Sequence, residues 1–368
     1  MNKFQFICFA LILLLHGSLH FIGFAKAYHY GNLTQLTKDI PKSNGLVWLM
    51  TAILFLVATG LFLLKKDSWP YLAIVAVVIS QILIIIVWKD AKFGSILNLV
   101  VLFVAIVSWA TNDFEKTFKA DVLRHMNETN FSHMDVLTEG DIASLPYPVQ
   151  KYIRYSGAID QPKIKNMKIV FEGQMREKGK AFFNFTSAQY NFFDNPARLF
   201  FMKARMYGTT LPGYHRYQNA NASMQIKLLG FIDVVNIKGA AMNKAETVTV
   251  FNDICLMAPA ALIDKRIEWF PIDSLSAKAT FSNGINVINA TLYFNEQGQL
   301  INFISDDRYA IGDKKQYRFS TPVKEYTQMN GRNIWKYGET IWHYPDGEFV
   351  YGKFTLKSIE YNVTQFNP

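Results

Sequence analysis

Four apolar runs within the first 110 residues constrain the fold of this chain more than any other feature of the sequence. Each is close to the roughly 20 residues that an α-helix needs to cross the hydrocarbon of a bilayer. None contains Asp, Glu, Lys or Arg, and the runs cover residues 4–25, 45–64, 71–88 and 93–110. Near their ends stand four of the seven tryptophans, which is typical of rings at the headgroup level: Trp48, Trp69, Trp88 and Trp109. We therefore predict an integral membrane protein in which residues 1–110 form a four-helix transmembrane module.

The first run has a second interpretation, as a cleaved signal peptide. Lys3 precedes it, and residues 25–27 have the small-x-small pattern of a cleavage site. His16 and His20 fit poorly in a signal peptide, which favours a retained first helix. Because connections such as residues 65–70 and 89–92 are short, neighbouring spans should run antiparallel, with both ends of the module on one side of the membrane.

His16 and His20 lie four residues apart and therefore share one face of the first predicted helix. An ionisable pair at membrane depth is a candidate functional site, and two such imidazoles could ligate a metal or haem within a bundle. The other spans offer no third ligand of a metal-binding type. The favoured interpretation is that both histidines are neutral and hydrogen-bond between helices, with a metal as the weaker alternative.

The net charge of +9 indicates a membrane surface and not a nucleic acid. Residues 1–110 contain eight Lys, three Asp and neither Arg nor Glu, so they carry +5 of this charge between the apolar runs. Lysine beside apolar spans is expected at a bilayer surface. The lipid bilayer is therefore the predicted partner, and nucleic-acid binding is discounted. Cys255 is the only cysteine after residue 110, so the C-terminal half cannot form an internal disulfide.

The sequence pattern changes after the last apolar run. Residues 111–138 are polar and of mixed charge, and we interpret them as a connector with some helical character. Residues 139–368 are predicted to form a β-rich soluble domain, because short runs rich in Phe, Tyr, Ile and Val alternate there with turn residues. Turns as short as Asn283-Gly284 and Gln297-Gly298 allow only antiparallel pairing of their strands.

One segment of this domain has the spacing of a helix. Residues 243–266 carry apolar groups at helical intervals, interrupted near Pro259, with Val248, Phe251 and Cys255 on the stripe to be buried. A helix on a curved antiparallel sheet makes a two-layer core, and such a core can open into an apolar pocket. The predicted fold is thus a four-span helical bundle followed by an α+β domain with one packed helix.

Several segments of the domain resemble a family of uncharacterised bacterial proteins. The resemblance is carried by LPYPVQKYIRYSG, TSAQYNFF, ETVTVFNDICLMAPAALID and GEFVYGKFTLKSIEYNV, and it covers about residues 138–366. Members of that family occur both as soluble domains and behind membrane spans, and no activity is established for it. The resemblance implies a fold, which by analogy is the curved half-barrel of the lipoprotein carriers, and it implies no mechanism.

Charged residues in the domain are candidates for catalysis. Carboxylates beside basic residues can form an acid/base site where a cleft brings them together. The candidate catalytic residues are Asp253, Asp264, Arg266, Asp307 and Arg308. Ion pairs that orient a helix end or solvate a strand rim would explain the same charges.

A polar-aromatic cluster is the predicted lining of a ligand pocket. Its members Tyr214, His215 and Tyr217 follow a Pro-Gly pair, and Asn252 of the predicted helix joins them as a fourth pocket candidate. Packing at a strand edge would account for the same aromatic residues. The sequence contains no Gly-rich phosphate loop, nucleophile elbow, paired-cysteine motif or His-Glu-x-x-His, so no cofactor is predicted.

The leading functional hypothesis is a membrane-anchored protein whose β-rich domain binds an apolar or lipid-like ligand, because the chain combines 15% aromatic residues with a membrane module and no catalytic motif. An enzyme acting on a membrane-derived or small-molecule substrate is the first alternative, and a structural or sensory partner domain is the second. We expect a bacterial cytoplasmic membrane protein. Six Lys and Arg would face one side and five the other, and the cytoplasmic side is favoured for the domain because the resembling soluble domains usually lack export signals.

Overall fold

The computed structural model of the chain describes residues 3–31, 33–34, 36–132, 134–206 and 208–366. The chain divides into two compact units, one formed by residues 1–115 and 229–232 and the other by residues 116–228 and 233–368. The first unit holds the N-terminal helices α1 (Lys3–Ala27), α2 (Lys42–Leu63), α3 (Trp69–Ile86), α4 (Trp88–Ala91) and the first part of α5 (Gly94–Glu128). Four of these, α1, α2, α3 and α5, are long and apolar enough to cross a membrane. The prediction of four apolar N-terminal helices is confirmed.

Glycines allow α1 and α2 to approach each other closely. A Cβ atom added at Gly17 would lie 2.6 Å from the Cβ of Phe55, and one added at Gly23 would lie 2.1 Å from the indole of Trp48. Small residues at such positions let helix backbones come close together. The rings of Trp48 and Phe55 therefore fill the space that larger side chains on α1 would need.

Polar side chains of the bundle hydrogen-bond from one helix to another. Nε2 of His16 lies 2.7 Å from Oδ1 of Asn98, and Nε2 of His20 lies 2.9 Å from the hydroxyl of Ser80. The amide of Asn98 in turn donates to Gln81 over 3.1 Å. Interhelical bonds of this kind hold apolar helices in register.

The second unit contains the end of α5 and three further helices, α6 (Glu139–Ile142), α7 (Tyr147–Tyr155) and α8 (Ala240–Met257), with a 3₁₀ turn at Pro259–Ile263. The predicted helix thus breaks at Pro259, as expected. The first strands are β1 (Asn166–Met175), β2 (Phe183–Phe192), β3 (Ala197–Met206), β4 (Thr209–Gln218), β5 (Asn221–Leu228) and β6 (Ile232–Lys238). After α8 follow β7 (Ile267–Pro271), β8 (Ser276–Asn283), β9 (Asn286–Phe294), β10 (Leu300–Ser305), β11 (Tyr309–Ala310), β12 (Lys315–Gln316), β13 (Arg318–Met329), β14 (Arg332–Tyr344) and β15 (Gly347–Tyr361).

Thirteen of these strands form one antiparallel sheet in the order β6-β5-β4-β3-β2-β1-β15-β14-β13-β10-β9-β8-β7. Two meanders make up this order: strands β1 to β6 on one side and β7 to β15 on the other, joined at the pairing of β1 with β15. Strands β11 and β12 form a separate hairpin. The helix α8 connects the outer strand of the first meander to the outer strand of the second.

The sheet curls so strongly that residues near its two ends hydrogen-bond to each other. Asn286 at the start of β9 donates to the backbone oxygen of Ala220 beside β5 over 2.7 Å, and Asn283 of β8 donates to the hydroxyl of Tyr217 on β4 over 2.8 Å. Nine strand spacings of about 4.8 Å separate β4 from β8 in a flat sheet, so only a curled sheet brings these groups together. Helix α8 lies inside the curl, where Phe251 stacks on Phe281 with ring centroids 5.2 Å apart. The predicted curved antiparallel sheet with a packed helix is confirmed.

Candidate ligand-binding site

A cavity of about 360 Å³ lies between α8 and the inner face of the sheet. The helix contributes side chains from Met242 to Met257, and strands of both meanders supply the opposite walls. The β11–β12 hairpin adds Tyr309 to Asp313. Aromatic rings and methionines dominate the walls, and they are Phe171, Phe200, Phe319, Phe354, Trp335, Trp342, Tyr344, Tyr351, Met175, Met202, Met224, Met242 and Met257. The cavity is therefore largely apolar.

Strand register explains why one set of side chains faces the cavity. Gln189, Phe200, His215 and Met224 occupy directly paired positions on β2, β3, β4 and β5, so they form a row across the inner face. Arg198 stands two residues before Phe200 and therefore points to the same face. The pairing of the strands thus places the amide of Gln189 and the guanidinium of Arg198 beside aromatic side chains.

A buried charge network forms the polar part of the cavity. Arg198 donates from Nε to Asp253 over 2.7 Å and from Nη1 to Glu246 over 3.2 Å. Gln189 bridges the same groups, since its amide donates to Asp253 over 2.6 Å while its oxygen accepts from Arg198 over 3.2 Å. The imidazole Nδ1 of His215 lies 3.7 Å from the carboxylate of Glu246. Two carboxylates about two turns apart on α8 thus share one guanidinium.

The two carboxyls of this network have pKa values displaced in opposite directions. Burial raises the pKa of Asp253 above its usual value, although the charge of Arg198 acts against it. Burial has the same tendency at Glu246, but the interactions with His215 and Arg198 outweigh it and lower the pKa of Glu246 to about 2. One carboxyl is therefore firmly ionised and its neighbour is more easily protonated, which is the arrangement found where an acid and an anion work side by side.

A second cation, Arg308, lines the cavity beside aromatic rings. Its guanidinium lies 4.2 Å from the ring centroid of Phe319, 4.9 Å from that of Trp342 and 5.7 Å from that of Tyr351. It also donates from Nη1 to the hydroxyl of Tyr351 over 2.9 Å. The faces of these rings attract the cation electrostatically.

Four of the predicted site residues line this cavity: Asp253 and Arg308 from the catalytic candidates, and His215 and Asn252 from the pocket candidates. Asn252 is tied to the sheet, because its amide donates to the hydroxyl of Thr321 on β13 over 2.6 Å. Gln189 and Asn252, which are 63 residues apart in the sequence, thus face the same cavity.

Three catalytic candidates lie outside the lining of this cavity. Arg266 forms an ion pair with Asp264 and donates to the backbone oxygen of Phe193, so this pair fastens the chain after the 3₁₀ turn to the turn between β2 and β3. Asp307 accepts from Lys244 over 2.9 Å and from the backbone of Asn289 over 2.7 Å, and it thereby ties the start of α8 to β9. These contacts give all three side chains structural partners.

Two pocket candidates also lie elsewhere. Tyr214 precedes His215 on β4 and therefore points to the opposite face of the sheet, where its hydroxyl donates to Asp121 over 2.8 Å. Tyr217 shares the inner face but lies beneath α8, with its hydroxyl 2.9 Å from that of Thr247. Alternation along one strand prevents the whole polar-aromatic cluster from lining a single pocket.

The site residues predicted from the sequence do not include Arg198, Gln189 or Glu246. A signal for Arg198 was present: it shares a period-two face with Phe200 and Met202, where a charge is unexpected. In the bundle, the described residues contain no group of three or more His, Cys, Asp or Glu side chains that could hold a metal ion. His16 and His20 have the hydrogen-bond partners given above.

Comparisons with known proteins connect the second unit to a family. The model of a "Family of unknown function (DUF6544)" matches residues 135–354. No curated protein matches the sequence. The solved structures that resemble the chain include a LolA-superfamily protein from Nitrosomonas europaea, with a TM-score of 0.37 and 9% sequence identity over 58% of this chain and 94% of that one.

Proposed function

The chain belongs to DUF6544, a family of unknown function, and from the geometry of its own cavity we propose that it binds an apolar or lipid-like ligand in the β-rich domain, residues 139–368. The observation that carries the proposal is the cavity of about 360 Å³ with its aromatic and methionine walls. Binding sites for small molecules have volumes of about 300–1,000 Å³ and mostly apolar linings with a few placed polar groups. Methionine side chains adapt to ligands of varied shape, which suits a flexible apolar chain.

Membrane anchoring through residues 1–110 is the second part of the proposal. It is supported by the length and composition of the four apolar helices. We place the domain on the cytoplasmic side of a bacterial cytoplasmic membrane. A C-terminal reporter that fluoresces only in the cytoplasm is expected to light up, and a dark but full-length fusion would reverse this assignment.

Native mass spectrometry of the full chain tests ligand binding. We expect a reproducible co-purifying mass after gentle extraction, and its loss after organic extraction of the sample. Thr249 lines the cavity from α8, so Thr249→Trp fills the space and should remove the extra mass. Thr364 is exposed, and Thr364→Trp is the matched control that adds the same ring outside the cavity.

Retention of the same extra mass by Thr249→Trp would show that the ligand lies somewhere other than this cavity. An apo mass for the wild type, together with no uptake of offered fatty acids, fatty alcohols or phospholipids, would rule out the proposal. Folding of each variant is verified by the protection of Cys255, which is fully buried in the domain.

An enzyme is the second candidate function, and one observation favours it. Asp253 and Glu246 both line the cavity, and their pKa values are displaced in opposite directions. A protonated Asp253 would act as general acid near a firmly charged Glu246, with Arg308 as a cationic substrate contact. Of the five catalytic candidates, Asp253 and Arg308 are those that this hypothesis retains.

The enzyme hypothesis is tested by product formation. The purified full chain is incubated with a lipid extract, and the mixture is compared by mass spectrometry with one treated with Asp253→Asn. A new product formed only by the wild type is expected if Asp253 donates a proton. Identical mixtures, with ligand uptake intact, would leave binding as the function of the cavity.

A further inference from the structure

The surroundings of Arg308 differ from those of the other arginine in the cavity. Arg198 has two carboxylate partners, at 2.7 Å and 3.2 Å. Among the described residues, Arg308 has no carboxylate within ion-pair distance, and its guanidinium donates its one hydrogen bond to the hydroxyl of Tyr351. Its Nε is buried and has no hydrogen-bond partner. Arg198 therefore has carboxylates in direct contact, whereas Arg308 interacts with Glu246 only beyond ion-pair distance.

The carboxylates near Arg308 already have other partners or lie in water. Glu246 and Asp253 both accept from Arg198, and Asp253 accepts in addition from Gln189. Asp313, at the β11–β12 hairpin, is exposed and thus screened by solvent. A guanidinium with an unpaired buried N–H is costly to hold among apolar groups unless an anion completes its hydrogen bonds.

The rings around Arg308 also fix its orientation. Phe319, Trp342 and Tyr351 lie within 5.7 Å of the guanidinium, and all three line the same cavity. An arginine held beside ring faces can use the edge of its planar fork for in-plane hydrogen bonds, and that edge matches the two oxygens of a carboxylate or phosphate. The apolar walls begin at these same rings, so a head bound at Arg308 would lead directly into an apolar tail site.

From this arrangement we infer that Arg308 binds the negatively charged head, a carboxylate or a phosphate monoester, of a single-chain amphiphile whose tail fills the aromatic and methionine part of the cavity. The inference rests on the proposed function and adds the chemical class of the ligand. It assigns to Arg308 a binding role, while Arg198 maintains the charge balance of the cavity wall.

Photoaffinity labelling of the full chain in lipid nanodiscs tests the charge of the head. The probes are dodecanoic acid and dodecanol, each with a diazirine on the chain, and labelled peptides from the cavity strands are quantified against probe concentration. We expect the wild type to bind the acid about tenfold to a hundredfold more tightly than the alcohol, the range for hydrogen bonds to a charged group. Arg308→Met should remove this preference and leave alcohol binding within about twofold.

Arg318→Met is the matched control. Arg318 belongs to β13, is exposed and pairs with Asp306, so its loss should leave the preference for the acid unchanged. Equal binding of acid and alcohol by the wild type, or a preference that survives Arg308→Met, would overturn the inference while ligand binding itself stands. Labelling of the cavity by neither probe would refute ligand binding as well.

Two competitors identify the source of the anion. Dodecyl phosphate should displace the acid probe from the wild type, whereas inorganic phosphate, which has the charge without the tail, should displace neither probe. Displacement of the acid by inorganic phosphate at the concentrations effective for dodecyl phosphate would show a site for free anions, and the amphiphile would be excluded.

Discussion

Replacing Arg198 by Met removes the one guanidinium that two buried carboxylates share. Arg198, Glu246 and Asp253 are 7%, 3% and 8% exposed, so water cannot take the place of the lost cation. Breaking a buried ion pair by removing one partner costs about 3–5 kcal/mol. Asp253 already has a raised pKa and can take up a proton, which limits the loss. We therefore expect the lower part of this range, about 3–4 kcal/mol of unfolding free energy.

Cys255 provides the assay. It is fully buried on α8, and burial raises its pKa well above the usual value, so an alkylating reagent reacts only after the domain opens. In a Cys8→Ala background Cys255 is the only thiol of the chain. Each 1.4 kcal/mol changes the population of the open form about tenfold, so Arg198→Met should accelerate labelling about a hundredfold to a thousandfold.

Two comparisons make the result decisive. Arg318→Met breaks an exposed pair, with side chains 56% and 68% exposed, and should accelerate labelling less than about tenfold. Neutralising all three groups, with Arg198→Met, Glu246→Gln and Asp253→Asn together, should recover most of the lost stability, because no buried carboxylate is then left without its cation. If Arg198→Met labels no faster than Arg318→Met, the shared cation does not stabilise the domain.

Three further predictions concern the pH dependence, the bundle and the outer face of the sheet. The folded pKa of Glu246 lies below its usual 4.5 because of His215 and Arg198, so these interactions should contribute about 3 kcal/mol above pH 4.5 and lose this as the pH falls toward 2. Urea denaturation should show the advantage of wild type over Glu246→Gln at neutral pH shrinking at about pH 3. Gly23→Ala should lower the unfolding free energy of the bundle by about 1–3 kcal/mol, as measured by thermal denaturation in detergent. Gly60→Ala should leave it unchanged, because a Cβ added there meets nothing within 4 Å. Tyr214→Phe removes a hydrogen bond to Asp121 and should cost about 1.5–3 kcal/mol by Cys255 labelling, and an unchanged rate would show that this contact is not stabilising.

The parts of the fold that local sequence determines were predictable. An uncharged apolar run of about 20 residues predicts a long apolar helix, and Pro259 must interrupt a helix because it lacks an N–H. The turns at Gly284 and Gly298 adopt positive φ values of 59° and 85°, which glycine tolerates and which close the predicted hairpins. In these cases a few neighbouring residues carry the whole signal.

Local sequence patterns do not determine which strands far apart in the sequence pair with each other. Nothing in the composition of β1 indicates that it pairs with β15, because any strand with one apolar face can accept several partners. The site depends on that pairing, since Arg308 follows β10 in one meander and Arg198 lies on β3 in the other. Asp253 and Arg308 could be chosen from charge alone, whereas the placement of Tyr214 away from His215 required the direction of each side chain.

The junction of β1 with β15 has a consequence for synthesis of the chain. Strand β1 ends at Met175, but its partner begins at Gly347, so the centre of the sheet stays unpaired until β15 has left the ribosome. Contacts so distant in sequence close slowly, and the open edge of the first meander is exposed to wrong partners meanwhile. The apolar helices precede the sheet in the chain and are complete before β15 is made. A nascent chain that stops before β15 would therefore carry completed apolar helices and a sheet with an open seam, a species for chaperones and proteases to remove.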